Sequence, residues 1–269
     1  MTGSSAEMQL RIRYTKLGKI RFTSQRDVAR LWERALRRSR LPVAWSKGFS
    51  PRPLLSFGLA LPTGAESLGE YLDIELDSWD SPGREVAHDA IGILDPVTSA
   101  ALSTFLSSLL PDGLSVQAVA PVPAGSGSLQ HEVSSCTWEL EVAGVTEVQV
   151  ARQIDAVLRS SNVPVRRVRK GRMLEDDIRP AIRSLTLGAD CGRDHRGTEG
   201  TVALSATVAT KPRGVRPGEL LEGLEADLVL VRARRTHQWI EHGDARWEPL
   251  SEAGELPGET GLHAQERAS

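Results

Sequence analysis

Arg26, Arg30, Arg34 and Arg37 recur at spacings of four, four and three residues, so a helix through them sets four guanidinium groups on one side. Guanidinium stays charged at neutral pH, and its fork of N–H donors fits phosphate oxygens. A row of them is suited to a polyanion backbone, where such contacts position RNA or DNA and bring strong salt dependence. Arg38 and Arg40 lie close by. Downstream, Gly48-Phe49-Ser50-Pro51-Arg52-Pro53 places an aromatic ring and a cation in a segment stiffened by two prolines. Phe49 there is suited to stacking on a base and Arg52 to holding a phosphate. Later in the chain, Arg166, Arg167 and Arg169, followed by Lys170 and Arg172, are expected to extend the same basic groove from a second half. The acids after them, Glu175, Asp176 and Asp177, are read as a solvated hairpin tip rather than a cation site.

Net charge conceals this pattern. The whole chain carries a formal charge of −2. Arg11 to Arg52 holds 13 Lys and Arg against Asp27 and Glu33, a net of +11. Pro53 to Asn162 holds 3 Arg against 15 acids, a net of −12, and Val163 to Arg183 returns to +4. Local charge is therefore what bears on partners. Arginine outnumbers lysine 28 to 5, which suits bidentate phosphate contact.

Several chemistries have no residues to support them. Cys136 and Cys191 are far apart and make no CxxC pair, too few for a zinc site or an iron–sulfur cluster. His88, His131, His195, His237, His242 and His263 are scattered without ligand spacing. There is no GxSxG, P-loop, HExxH or GxGxxG leading into a helix. No catalytic residue, metal site or cofactor is assigned. A metal-independent nuclease would have to draw on Tyr14 or Lys19. No apolar run reaches the length of a membrane span, and the first nine residues are polar, so a cytoplasmic location is expected.

The elements that must carry these residues follow from periodicity. Leu10 to Phe22 reads as one long strand or a strand pair, with Leu10, Ile12 and Tyr14 alternating with Arg11, Arg13 and Thr15. Ser24 and Asp27 mark a helix start, and Val28, Leu31, Trp32, Ala35 and Leu36 form its apolar stripe before Leu41-Pro42 ends it. Short strands are expected at 43–46 and 54–61. In Tyr71–Leu76, Leu72, Ile74 and Leu76 point inward, with Asp73 and Glu75 outward. A helix follows at 98–110 and a strand at 114–119. Pro121 to Gln130 is a linker of proline, glycine and serine. A second cycle has strands at 137–142, 163–168, 182–187, 201–210 and 228–234, helices at 147–158 and 217–224, and a polar loop at 190–200.

Each half thus reads approximately β-α-β-β-α-β, which predicts an α+β chain of two tandem ferredoxin-like halves. The expected limits are 8–120 for the first half, 121–133 for the linker, 134–241 for the second half, and 247–269 for a disordered acidic tail.

An ordered set of motifs carries a resemblance. It comprises Lys16-Leu17-Gly18-Lys19-Ile20-Arg21-Phe22-Thr23-Ser24, Arg26-Asp27, Glu33-Arg34-Ala35-Leu36-Arg37-Arg38 and Gly48-Phe49-Ser50-Pro51-Arg52-Pro53. Ser56-Phe57-Gly58, Leu61-Pro62-Thr63-Gly64 and Glu70-Tyr71-Leu72 follow, and beyond the linker Asp177-Ile178-Arg179-Pro180 and Arg216-Pro217-Gly218-Glu219-Leu220-Leu221. This set resembles the radical-SAM-linked protein family, a domain of unknown function often fused behind a radical SAM enzyme and elsewhere standing alone. The resemblance covers roughly residues 8 to 241 and implies association with radical SAM chemistry through a separate enzyme. Members usually carry histidine where this chain has Gln25, and solitary members often carry one where it has Arg52. Neither residue is a usable proton shuttle near neutral pH. The expected role is RNA binding or substrate presentation in RNA processing or modification. An RNA endonuclease-like enzyme and a protein-interaction module docking a radical SAM partner are the alternatives.

Overall fold

The computed structural model describes residues 9–77, 96–122, 127–169, 171–188, 200–224 and 228–256. The expected polar loop at 190–200 lies almost wholly outside these residues, as do Cys191, His88, His195 and His263. Among the described residues the chain is mixed α+β, with nine strands in one sheet and a separate two-stranded hairpin. It divides into two compact units. The first takes the described residues of Met1–Thr63, Ser67–Val133 and Ile240–Ser269; the second takes those of Gly64–Glu66 and Ser134–Trp239.

In the first unit, β1 (Gln9–Lys16) leads through a 3-10 turn (Gly18–Phe22) to α1 (Gln25–Ser39). Next come β2 (Leu55–Phe57), β3 (Glu66–Glu75), α2 (Pro96–Ser108) and β4 (Leu114–Val122). β1 lies antiparallel between β3 and β4, with Ile12 opposite Leu72 and Val119, and β2 pairs antiparallel with β3. Of the stretch read as one long strand or a strand pair over Leu10 to Phe22, the first strand stops at Lys16, Gly18 takes φ 70° and turns the chain, and Gly18–Phe22 forms a 3-10 turn rather than a second strand. The residues expected to form a strand at 43–46 make only isolated bridges, Val43 to Leu76 and Trp45 to Pro53.

One face of this sheet sets Leu10, Ile12, Tyr14, Leu72 and Ile74 against Val28, Trp32 and Leu36 of α1 and Leu106 of α2, all buried. Tyr14 meets Trp32 edge-on at 5.2 Å between ring centroids. Tyr14 is therefore a core residue, 1% exposed.

The other face was expected to be polar and solvated. It is buried instead. Arg11 donates through Nε and Nη2 to the two oxygens of Asp73 at 2.8 and 3.0 Å. Arg13 pairs with Glu248 at 3.3 Å and Glu252 at 3.1 Å. The Tyr71 hydroxyl lies 3.2 Å from Glu248 and 3.3 Å from the Leu250 carbonyl oxygen. Leu250 is fully buried beside Tyr71, Ala118, Ala120 and Leu129. Residues 248–256, read from sequence as the start of a disordered tail, thus pack across this face, and Asp73 points into the protein rather than outward. Burial pushes the Glu248 carboxyl above its ordinary value, with Arg13 and the Tyr71 hydroxyl opposing, and pushes the Tyr71 hydroxyl well up.

Among the described residues β4 is the last strand on its side, so one row of its backbone groups lacks a strand partner there. Two serines of α2, eight residues apart, meet that row. Ser99 Oγ donates to the Val119 carbonyl oxygen at 2.5 Å, and Ser107 Oγ accepts from the Val116 amide at 2.9 Å.

The second unit contains β5 (Ser135–Ala143), α4 (Glu147–Arg159), the hairpin of β6 (Pro164–Arg169) and β7 (Arg172–Asp177), β8 (Ile182–Leu187), β9 (Thr201–Ala209), α5 (Pro217–Glu222) and β10 (Val229–His242). A short helix, α3 (Leu129–Glu132), precedes β5, and β11 (Ala245–Trp247) pairs with the end of β10. The strand order in this unit is β10-β5-β9-β8, all antiparallel. α4 begins with a reciprocal cap between Thr146 and Gln149 and buries Val150, Ile154 and Val157. β6, expected from sequence as a strand, pairs among the described residues with β7 in a hairpin apart from the large sheet.

Candidate nucleic-acid interface

α1 positions the basic row. Ser24 is its N-cap, accepting from the Asp27 amide at 3.2 Å while its hydroxyl donates to the Asp27 carboxylate at 2.7 Å. That hydroxyl bond holds the Asp27 carboxyl below its ordinary value, with Arg30 and Arg26 adding to the effect. Burial of Val28, Trp32, Ala35 and Leu36 fixes the rotation of the helix and leaves Arg26, Arg30, Arg34 and Arg37 exposed. Successive members of the row are offset along the axis by about 6 Å where four residues separate them and about 4.5 Å between Arg34 and Arg37, at about 1.5 Å per residue. Arg30 makes an exposed pair with Asp27 at 3.0 Å, a contact too solvated to immobilise it. Arg26 and Arg34 have no ion-pair partner among the described residues. The helix ends at Arg40, which takes the left-handed conformation at φ 58° before Leu41-Pro42.

Arg37 holds the neighbouring loop. Its guanidinium lies 4.5 Å from the centroid of the Trp45 ring, and its Nη2 donates to the Pro51 carbonyl oxygen at 2.8 Å. The loop is a hairpin of irregular backbone: Leu54 donates to Ala44 at 2.9 Å, Ser46 to the Arg52 carbonyl at 2.8 Å, and the Arg52 amide to Ser46 Oγ at 3.0 Å. Phe49 stands near its tip, fully exposed, and the Arg52 side chain is also exposed. A second exposed ring, Phe22, precedes the helix with the Arg21 guanidinium 4.6 Å from its centroid. Arg38 turns away to donate to the Leu109 carbonyl oxygen at the end of α2. Sequence reasoning missed Trp45 and Phe22; the nearby Arg37 and Arg21 were the available signal. Gln25 begins α1, partly exposed, and adds no acid or base.

The basic residues of the second unit serve different ends. Arg166 is exposed, and its backbone amide donates to Glu222 at 2.9 Å. Arg167 is committed: its guanidinium binds Asp176, which also meets Arg213 at 2.9 Å, and Arg213 reaches Glu219 at 2.8 Å. The side chain of Arg169 and the whole of Lys170 lie outside the described residues. Two acids of the triplet are engaged within the unit. Asp176 is spent on arginines, and Asp177 accepts from the amides of Val163 and Arg179 at 2.8 and 2.9 Å. Among the described residues no group of three His, Cys, Asp or Glu is placed to hold a metal ion. His237 stacks on Trp239 with 4.8 Å between centroids, and its Nδ1 lies 2.9 Å from Thr236 Oγ1. No described helix is long and apolar enough to cross a membrane.

Residues 9–217, from the first strand to the start of α5, match a family described as uncharacterized protein conserved in bacteria, DUF2344. The chain belongs to this family. No curated protein matches it. Among solved structures, a Cbf5–Nop10–Gar1 complex aligns with a TM-score of 0.42 at 11% identity, over 85% of this chain and 48% of that one. An archaeal box H/ACA sRNP Nop10–Cbf5 complex aligns with a TM-score of 0.38 at 11% identity, over 87% of this chain and 48% of that one. The chain thus spans about half the length of each, and superposition at this level carries no information on what it binds.

Proposed function

We propose that this chain is an RNA-binding protein that holds or presents RNA for processing or modification by other enzymes. The observation that carries the reading is the α1 surface. A buried apolar stripe leaves Arg26, Arg30, Arg34 and Arg37 exposed together, and Arg37 fastens beside them a hairpin bearing Phe49 and Arg52. Backbone phosphates are the ligand that such a row fits. Arg166 is a further exposed cation in the second unit, and Arg169 completes the candidate set. The resemblance in the N-terminal motifs supports a separate radical SAM enzyme as the protein partner. Each unit runs sheet strand, helix, two sheet strands, helix, sheet strand, with the first strand between the third and fourth. That order supports reading the chain as two tandem ferredoxin-like halves, with the β6–β7 hairpin inserted in the second.

Fluorescence anisotropy with a labelled 20-nucleotide RNA across a salt series tests the reading. Binding should weaken steeply with salt, and Arg30→Glu/Arg34→Glu should lower the slope of log K against log salt by about 1.4 for two lost phosphates on a single strand. Salt-independent binding, or an unchanged slope in a folded variant, would overturn it.

A further inference from the structure

Resting on that reading, we infer that the RNA held on α1 is single-stranded there, with an unpaired base stacked on Phe49. Phe49 contributes nothing to the core: its ring is fully exposed. An aromatic ring left in water at a folded surface gains nothing for stability, so its return comes from what covers it.

The loop that presents the ring is braced. Arg37 grips it at Trp45 and Pro51, the Ser46–Arg52 bonds close its base, and Pro51 and Pro53 limit its backbone. Gly48, immediately before Phe49, takes φ 142°, and nothing lies within 4 Å of where its Cβ would be. The ring is thus carried on a short, open tip whose base is fixed to the helix bearing the arginine row.

That arrangement selects by strandedness. In a duplex each base face is covered by its neighbours in the stack. The A-form major groove is moreover too deep and narrow for side chains to read. A ring at a loop tip meets a base face only where a nucleotide is unpaired. Stacking is tolerant of sequence because every base has a π-face, so the ring confers preference for single strands without strong base identity. The arginines supply the remainder of the contact, which strandedness alters far less.

The experiment compares a 12-nucleotide RNA, the same RNA annealed to its complement, and the DNA of the same sequence. Each is titrated with wild type, Phe49→Ala, Phe49→Trp and Arg30→Glu/Arg34→Glu. The wild type should prefer the single strand. Phe49→Ala should weaken single-strand binding by roughly 5- to 150-fold, the range one base stack supplies, with little change for the duplex. Phe49→Trp should retain the preference. A duplex bound as tightly as the single strand, or a Phe49→Ala loss equal on both, overturns the single-strand inference while leaving RNA binding standing. Failure of wild type to bind any of the three, or insensitivity to Arg30→Glu/Arg34→Glu, overturns the RNA-binding reading itself. Equal affinity for the DNA would show that the unpaired base is recognised without its 2′-hydroxyl, which still supports the stack.

Discussion

Removing the Asp73 carboxylate strands a guanidinium with no route to water. The Arg11 and Asp73 side chains are 3% and 8% exposed, and two of the three Arg11 nitrogens are spent on the pair. The third, Nη1, donates to the Pro249 carbonyl oxygen at 3.4 Å. Breaking a buried pair by deleting one partner costs about 3–5 kcal/mol, most of it the uncompensated charge. Asp73→Ala should therefore lose about that much stability, measured as the shift in the urea midpoint multiplied by the slope. Removing both charges should cost far less: Arg11→Met/Asp73→Leu is expected within about 1 kcal/mol of wild type, since apolar packing of similar volume replaces a buried pair well. The reasoning fails if Asp73→Ala costs under about 1 kcal/mol, the scale of an exposed pair. It fails equally if the double variant is as damaged as the single.

Three further outcomes are expected. Because burial raises the Glu248 carboxyl above its ordinary value of 4.5, the folded protein binds that proton more tightly than the unfolded chain. The group's stabilising contribution is then fully present below that value and is lost as pH rises through the raised one. Stability measured against pH should accordingly fall more steeply in that window for wild type than for Glu248→Gln, and parallel curves would remove the assignment. Arg167→Ala should loosen the β6–β7 hairpin, read as faster amide exchange in β6 and β7, while leaving RNA affinity within about 2-fold, because its guanidinium is committed to Asp176. Ser24→Ala should cost about 1 kcal/mol through loss of the α1 cap, read by chemical denaturation.

The parts of the fold governed by local pattern were legible in the sequence. The α1 stripe, the Ser24 cap and the alternation of Leu72, Ile74 and Leu76 follow from periodicity that a single chain displays. The exposed side of α1 follows too, since four arginines at that spacing have nowhere else to go. What was not legible depended on distant chain. Arg11, Arg13 and Asp73 look like outward residues of a half-buried strand, and distant chain, residues 248–256 and Leu129, turns that face into interior. Tyr14 looked available as a reactive hydroxyl until Trp32 covered it. Val163 to Val168 has the composition of a sheet strand but finds its partner in the charged run that follows. Arg167 and Arg166 are adjacent and identical in kind; their different fates depend on Asp176, Arg213 and Glu219, which sequence spacing does not bring together.

The reach of residues 248–256 back to β1 bears on how the protein is made. The ribosome releases β1, β3 and their buried arginines early, but the groups that satisfy Arg13 and Tyr71 emerge only after the whole second unit has been synthesised. Until then one face of the nascent first unit exposes Tyr71, Ala118 and Ala120 beside unpaired charge. The second unit, continuous from Ser134 to Trp239 apart from Gly64–Glu66, has nearly all of its own chain before the first does. Completion of the first unit therefore follows synthesis of the second, and a chain stalled short of residue 248 leaves the sheet beneath α1 unfinished on its other face.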